Sequence, residues 1–168
     1  GATLRGADLT FATMNEAAME AVELTDADLA TANLRGAKLT NAFANRANFR
    51  SADMRRAILA GANLSNANLE GADLTGADLS GADLTMANLQ NAQLKGANLS
   101  NAIIDYTILI GADLSGADLR GARIHGANLK RANFSRANLQ GAQISSVVNS
   151  RTNYCNARMP NGKSGLCE

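Results

Sequence analysis

The chain repeats one five-residue unit from end to end, and that period decides what it can fold into. The stretch GADLTGADLSGADLT at residues 71–85 shows the unit. We number its positions one to five from the alanine, so that Ala72 is at position one and Leu74 at position three. In this register, which runs without a break over residues 2–159, position one is Ala at 28 of 32 places. Position three is Leu, Ile, Met or Phe at 29 of 32, so the repeat is the architecture of the whole chain.

Neither regular secondary structure buries a column of Leu at this spacing. On an α-helix each five-residue step turns the next Leu by about 140°, which spreads the apolar residues around the cylinder. On a continuous strand an odd period sends successive Leu side chains to opposite faces. Thirteen of the 15 Gly fall at position five, where the chain needs turn dihedrals. The pattern therefore predicts short extended pieces joined by corners that wind into a coil.

The repeated run A-(D/N)-L-x-x resembles the pentapeptide-repeat family. It is found, for example, at Ala72-Asp73-Leu74, Ala82-Asp83-Leu84 and Ala127-Asn128-Leu129. The resemblance implies an all-β fold, a right-handed quadrilateral parallel β-helix with four units per coil. It implies about eight coils over residues 1–159. After them Pro160 and Gly162 form a turn signal, and because an open last coil would expose unpaired backbone we expect residues 160–168 to fold back as a capping tail. The run MNEAAMEAVE at residues 14–23 has a helical composition, but it keeps the register and is predicted to be coil wall.

Composition predicts a narrow core and no room for a cofactor. Hydrophobic residues make up 46% of the chain but aromatic residues only 4%, so small and medium side chains must fill the interior. No run of 18 apolar residues and no signal peptide is visible, and we expect this segment neither to span nor to enter a membrane. The chain begins at Gly1 in the middle of a repeat, which suggests that further sequence precedes it.

The polar residues predict no catalytic or metal site. Asp or Asn fills 18 of the 32 second positions, and their exchange, as in Asp83 and Asn88, indicates a short acceptor near the backbone rather than an acid or a ligand. His125 is the only His, and we expect it to be exposed and without a partner. No nucleophile, base and orienting acid can be assembled around it. We therefore expect no enzyme activity.

Charge is distributed in bands although the net charge is only +1. Residues 1–30, 31–60, 61–119 and 120–168 sum to −5, +5, −6 and +7. Some relatives in this family protect DNA gyrase with a continuously acidic, DNA-like surface, and the basic bands argue against that role, which remains the alternative. Nucleic-acid binding is disfavoured because an acidic zone separates the bands and aromatics are few. Such a band suits an acidic protein or the acidic band of a second copy. We assign this contact to the C-terminal basic band, at Arg120, Arg123, Lys130, Arg131 and Arg136.

The stretch NAIIDYTILI at residues 101–110 departs from the pattern on its outward positions. Elsewhere these positions mostly hold polar or small residues such as Asn, Gly and Ser, but here they hold Ile103, Tyr106, Ile108 and Ile110. Contiguous apolar residues on a surface are typical of a protein interface. The alternative is a stretch in which Ile simply favours extended backbone. These four residues are the predicted contact surface for a protein partner whose identity the sequence does not give.

The two Cys lie at the C-terminal end, where the repeat fades. Cys155 and Cys167 would close a loop of about 12 residues, and as a disulfide it would contribute about 3 kcal/mol. A zinc site would need more ligands nearby. The ending YCNARMPNG resembles that of cyanobacterial and chloroplast family members, some of which are exported. With the disulfide we expect an oxidising compartment such as the periplasm or thylakoid lumen, and otherwise the cytoplasm. The overall expectation is a non-enzymatic structural or protein-interaction scaffold.

Overall fold

The structure, a computed structural model, describes residues 2–167 and is built from four columns of parallel pairings. Residues 20 apart at position two pair with each other, so each coil lies directly on the one before. We name the columns walls A, B, C and D. Their position-two residues are 3, 23 and so on to 143 in wall A, 8 to 148 in wall B, 13 to 153 in wall C and 18 to 158 in wall D. The chain therefore forms the predicted four-walled β-helix of eight coils.

The extended pieces are so short that only two of those within residues 2–167 count as regular strands. Strand β1 is Arg123–His125 and strand β2 is Gln143–Ser145, and they are parallel with Arg123 opposite Gln143. Elsewhere each wall of each coil contributes a single paired residue, because a corner follows three residues later. The run 14–23 is coil wall as predicted, since Ala18 pairs with Lys38.

Positions one and three fill the interior. From Leu24 to Leu139 the position-three side chains are buried, and only the end coils leave theirs partly exposed. Phe49 is accommodated beside the small Ala44, both fully buried. Where Thr replaces Ala at position one, its hydroxyl is satisfied: Thr107 Oγ1 donates to the Leu84 carbonyl at 2.8 Å. The core is thus apolar and closed along its length.

Every corner uses the same backbone conformation whatever residue occupies it. All position-five residues from Gly6 to Asn156 have φ between 51° and 71°, and 19 of them are not glycine. This left-handed region costs an L-residue about 1–2 kcal/mol. A cross-coil hydrogen bond recurs at these corners, as from Gly76 N to Lys95 O at 3.0 Å. Because each corner is held from the next coil, residues as large as Met86 and Tyr106 adopt the turn.

The C-terminal tail folds back onto wall D alone. Ser164 pairs with Arg158 in antiparallel fashion, and Gly165 N donates to Ala157 O at 2.7 Å. A disulfide joins Cys155 to Cys167, as predicted. Gly1 and Glu168, the outer ends of the two predicted segments, lie outside the described residues.

Candidate protein-binding surface

The Asp and Asn side chains at position two hold their own corners. All 18 accept a hydrogen bond from the backbone N–H two residues later, at 2.9–3.2 Å. Asp and Asn serve equally because only an acceptor oxygen is needed. Their interpretation as structural acceptors agrees with this geometry.

The same side chains also form ladders between coils, and the ladders have a direction. On wall B the Nδ2 of Asn48 donates to Asp28, that of Asn68 to Asn48 and that of Asn88 to Asn68, at 2.9, 3.2 and 3.3 Å. Each amide points toward the N-terminal end and each oxygen receives the next amide. A carboxylate only accepts, so an Asp starts the ladder. Asp78 and Asp113 start two shorter ladders in the same way.

Ile108 interrupts the wall B ladder, and the other predicted contact residues surround it. Ile108 lies above Asn88 and below Asn128, where an Asn would continue the column. Ile103 lies on the adjoining wall A and Tyr106 at the corner between them. Tyr106 is 53% exposed and Ile108 38%, whereas Ile103 and Ile110 are half-buried. The four predicted residues therefore share one coil: Ile103, Tyr106 and Ile108 surround the corner between walls A and B, and Ile110 lies at the next corner.

Met86 extends this apolar patch and was missed by sequence reasoning. It occupies the corner position 20 residues before Tyr106 and is 57% exposed. A period of 20 residues applied to position five would have found it. We define the apolar patch as Met86, Ile103, Tyr106, Ile108 and Ile110.

The Tyr106 ring lies toward the following coil and contacts His125. A Cβ added to Gly126 would come within 2.6 Å of the Tyr106 ring, so the ring occupies the space that a side chain at Gly126 would need. The rings of Tyr106 and His125 meet edge to face with centroids 5.3 Å apart. His125 Nδ1 is also 2.9 Å from Ser145 Oγ. The expectation of an exposed His without a partner was wrong, because the direction of side chains at the corners could not be read from the sequence.

Asp105 replaces one of two missing acceptors at this corner. Ile103 and Arg123 occupy position two in successive coils and cannot accept a backbone N–H. Asp105, 9% exposed, instead accepts from the His125 backbone N at 3.2 Å and from Arg123 Nε at 2.8 Å. Burial raises the pKa of the Asp105 carboxyl, but the hydrogen bonds from Arg123 and from the backbone of His125 outweigh it, and the pKa lies below its usual range. The patch therefore sits on an ionised, satisfied carboxylate.

A model of the pentapeptide repeats family matches in eight copies, over residues 2–41, 27–66, 62–101, 82–121 and 112–148. The chain belongs to the pentapeptide-repeat family. None of the curated proteins matches this pentapeptide-repeat chain.

Two solved pentapeptide-repeat structures resemble the chain. One is HetL, a pentapeptide repeat protein involved in heterocyst differentiation regulation in the cyanobacterium Nostoc. It is 32% identical, with a TM-score of 0.75 and matched regions covering 98% of this chain and 87% of HetL. The other is QnrB1, a plasmid-mediated fluoroquinolone resistance protein, at 19% identity and a TM-score of 0.60 over 89% of this chain and 84% of QnrB1. Both are right-handed quadrilateral β-helices, which confirms the predicted fold class.

The predicted basic band of this pentapeptide-repeat protein divides into paired and unpaired cations. Arg120 pairs with Asp118 at 2.6 Å and Arg123 with Asp105 at 2.7 Å. Within residues 2–167, Lys130, Arg131 and Arg136 have no acidic group within 4.0 Å. Lys130 lies one coil beyond Ile110, with Arg131 next to it at the same corner, whereas Arg136 belongs to the following corner. The structure thus brings two free cations to the apolar patch and leaves the third apart.

Across residues 2–167 no helix is long and apolar enough to cross a membrane. The same residues hold no group of three or more His, Cys, Asp or Glu placed to bind a metal ion.

Proposed function

We propose that this chain is a rigid scaffold that binds a protein partner through the apolar patch. Pentapeptide-repeat proteins are generally non-enzymatic structural or interaction scaffolds. The observation that carries the proposal is the replacement of ladder residues by Ile: at Ile108 the chain gives up amide hydrogen bonds that flanking Asn88 and Asn128 offer, and exposes a hydrocarbon instead. The exchange removes hydrogen bonds from the column and adds exposed apolar surface, which is the composition that an interface core requires.

The chemistry around the patch describes the partner. Lys130 and Arg131 border it on the C-terminal side and have no acidic group within 4.0 Å among residues 2–167. Asp105 beneath it is already neutralised by Arg123. The partner surface therefore carries apolar side chains at its centre and acidic groups on one side.

Ile108→Asn tests the proposal because it restores the residue that the ladder accepts. The matched control is Ile58→Asn on the opposite wall D, where Ile58 also occupies position two and is 37% exposed. Each purified variant is used as bait in extract of the source organism, and captured proteins are quantified by isotope-labelled mass spectrometry.

We expect a partner that wild type and Ile58→Asn recover equally and that Ile108→Asn recovers about tenfold less, as for loss of an interface core residue. Equal recovery by Ile108→Asn would reject the patch as the contact surface. Circular dichroism of all three proteins checks that the coil is intact.

The basic band is the second proposed contact surface. It also bears on the alternative functions, which are DNA mimicry and the binding of nucleic acid or an acidic partner. Arg120 and Arg123 are engaged in ion pairs, so Lys130, Arg131 and Arg136 would provide the attraction for an acidic protein, for the acidic coils of a second copy, or for nucleic acid. Mimicry of DNA toward gyrase calls for an acidic surface, which this band interrupts. A supercoiling assay with micromolar protein separates that alternative: inhibition would favour it over the scaffold proposal.

We place the protein outside the cytoplasm. The support is the disulfide between Cys155 and Cys167, a bond that persists in oxidising compartments. Thiol alkylation under denaturing conditions, on protein isolated from its source, should find no free thiol, and two free thiols would overturn this placement.

A further inference from the structure

The last coil ends with five backbone groups of walls B and C that have no hydrogen-bond partner among residues 2–167. They are the carbonyls of Val147 and Thr152 and the N–H groups of Asn149, Arg151 and Tyr154. The equivalent five groups one coil earlier are all bonded by the segment 148–153, at 2.7–3.1 Å. An open strand edge of this kind is a template for another extended chain.

The tail leaves this edge open because it replaces the next coil only on wall D. Asn156 N donates to Gly165 O at 3.2 Å and Met159 N to Lys163 O at 2.8 Å, so the tail takes over the pairing from Asn156 onward. A Cβ on Gly165 would fall 2.0 Å from the Tyr154 carbonyl oxygen, which shows how closely the tail approaches that corner. A strand added over walls B and C would therefore end next to Tyr154, just before the pairing with the tail starts at Asn156.

Between the tail and the last coil lies an open groove of about 920 Å³. Its surface combines the apolar groups of Tyr154, Met159 and Leu166 with the cations of Arg151 and Lys163, and none of the described residues that line it is acidic. Neither cation has an acidic group within 4.0 Å among residues 2–167. The groove therefore suits an extended segment with carboxylates and small apolar side chains.

We propose that this end of the rod binds an acidic extended peptide of a partner protein as the next piece of coil over walls B and C. The peptide would donate to Val147 O and Thr152 O and accept from Asn149, Arg151 and Tyr154, in the way that strand addition recognises peptides elsewhere. This site goes beyond the apolar patch and does not depend on it.

The chain itself supplies a probe. Residues 68–73, NLEGAD, occupy walls B and C and bond to the coil below through the same five kinds of group: Asn68 N to Ala47 O, Phe49 N to Asn68 O, Ser51 N to Glu70 O, Asp73 N to Ala52 O and Met54 N to Asp73 O, at 2.7–3.0 Å. A capped, fluorescently labelled peptide of this sequence would be titrated into the intact protein and followed by anisotropy. Amide shifts in nitrogen-15 spectra would locate it.

We expect saturable binding with the largest amide shifts at Asn149, Arg151 and Tyr154. A peptide in which Pro replaces Asp73 lacks the N–H for Thr152 O, and one in which Lys replaces Glu70 and Asp73 reverses the charge. Each should bind about tenfold more weakly, which corresponds to one charged or backbone hydrogen bond.

The protein variant Arg151→Glu with Lys163→Glu should also bind about tenfold more weakly, whereas Arg56→Glu, a charge change at a distant corner with the same φ of 58°, should not alter binding. Ile108→Asn should retain full binding, so failure of the apolar patch and failure of this site are separable. Equal binding of the charge-reversed and original peptides, or amide shifts elsewhere on the rod, would overturn the proposal.

Discussion

The directed Asn ladder makes a quantitative prediction about two Ile residues that share repeat position and exposure but have different neighbours. Ile108 and Ile58 occupy position two and are 38% and 37% exposed. Replacing either by Asn removes a similar apolar surface and supplies an acceptor for the backbone N–H two residues later. Asn at 108 gains two further bonds, donating to Asn88 and accepting from Asn128. Asn at 58 gains neither, because Lys38 below offers no acceptor and Asp78 above offers no donor.

Each net hydrogen bond contributes about 0.5–1.5 kcal/mol, and these side chains are partly exposed. The free energy of unfolding of Ile108→Asn should therefore exceed that of Ile58→Asn by about 1–2 kcal/mol. Equilibrium urea denaturation of the two variants measures this difference. In an Asn128→Ala background, which removes the same backbone hydrogen bond from both variants, the advantage of Ile108→Asn over Ile58→Asn should fall to about half, because one of the two ladder bonds is lost. Equal stabilities, or a less stable Ile108→Asn, would show that the ladder does not stabilise the fold as its geometry implies.

Two further predictions concern the corner under the patch. Gly126→Ala places a Cβ 2.6 Å from the Tyr106 ring, whereas Gly81→Ala meets nothing within 4 Å at a similar φ. Backbone strain should lower the stability of both variants by about 1 kcal/mol. In thermal unfolding Gly126→Ala should be the less stable of the two, and Tyr106→Gly should remove this extra loss of stability. An equal loss of stability for both variants in the wild-type background would contradict the packing of the ring. Asp105 has a pKa below its unfolded value of about 3.9, so its stabilisation is present above that pH and disappears as pH falls through the folded pKa. The stability gap between wild type and Asp105→Asn should accordingly narrow from pH 5 to pH 2, and a constant gap would argue against ionised Asp105 at this corner.

The period of five made the core predictable, because Ala and Leu must face inward at every unit. Ala44 beside Phe49, and the assignment of residues 14–23 to coil wall despite their helical composition, follow from the register alone. The number of units per coil came from family resemblance, and with it the pairing of residues 20 apart.

Side-chain contacts between coils were harder to predict from the sequence. The contact between Tyr106 and His125 and the cross-coil use of Asp105 depend on side-chain direction at corners, which a repeat pattern does not encode. Met86 could have been added to the patch from the 20-residue period alone. The large corner residues were unexpected for a related reason: Met86 and Tyr106 accept a conformation that favours glycine because the adjacent coil supplies the compensating hydrogen bond.

The inward-facing residues are mainly Ala and Leu on all four walls, whereas the outward-facing residues differ from wall to wall. Removing a single five-residue unit ahead of Ile103 would consequently leave the stack of Leu intact and turn everything after it by a quarter revolution. Such a change would re-aim the Tyr106 corner relative to the preceding coils without rebuilding it. Mutations that insert or delete whole units can thus change the orientation of a binding surface in quarter turns without changing the residues that set its affinity.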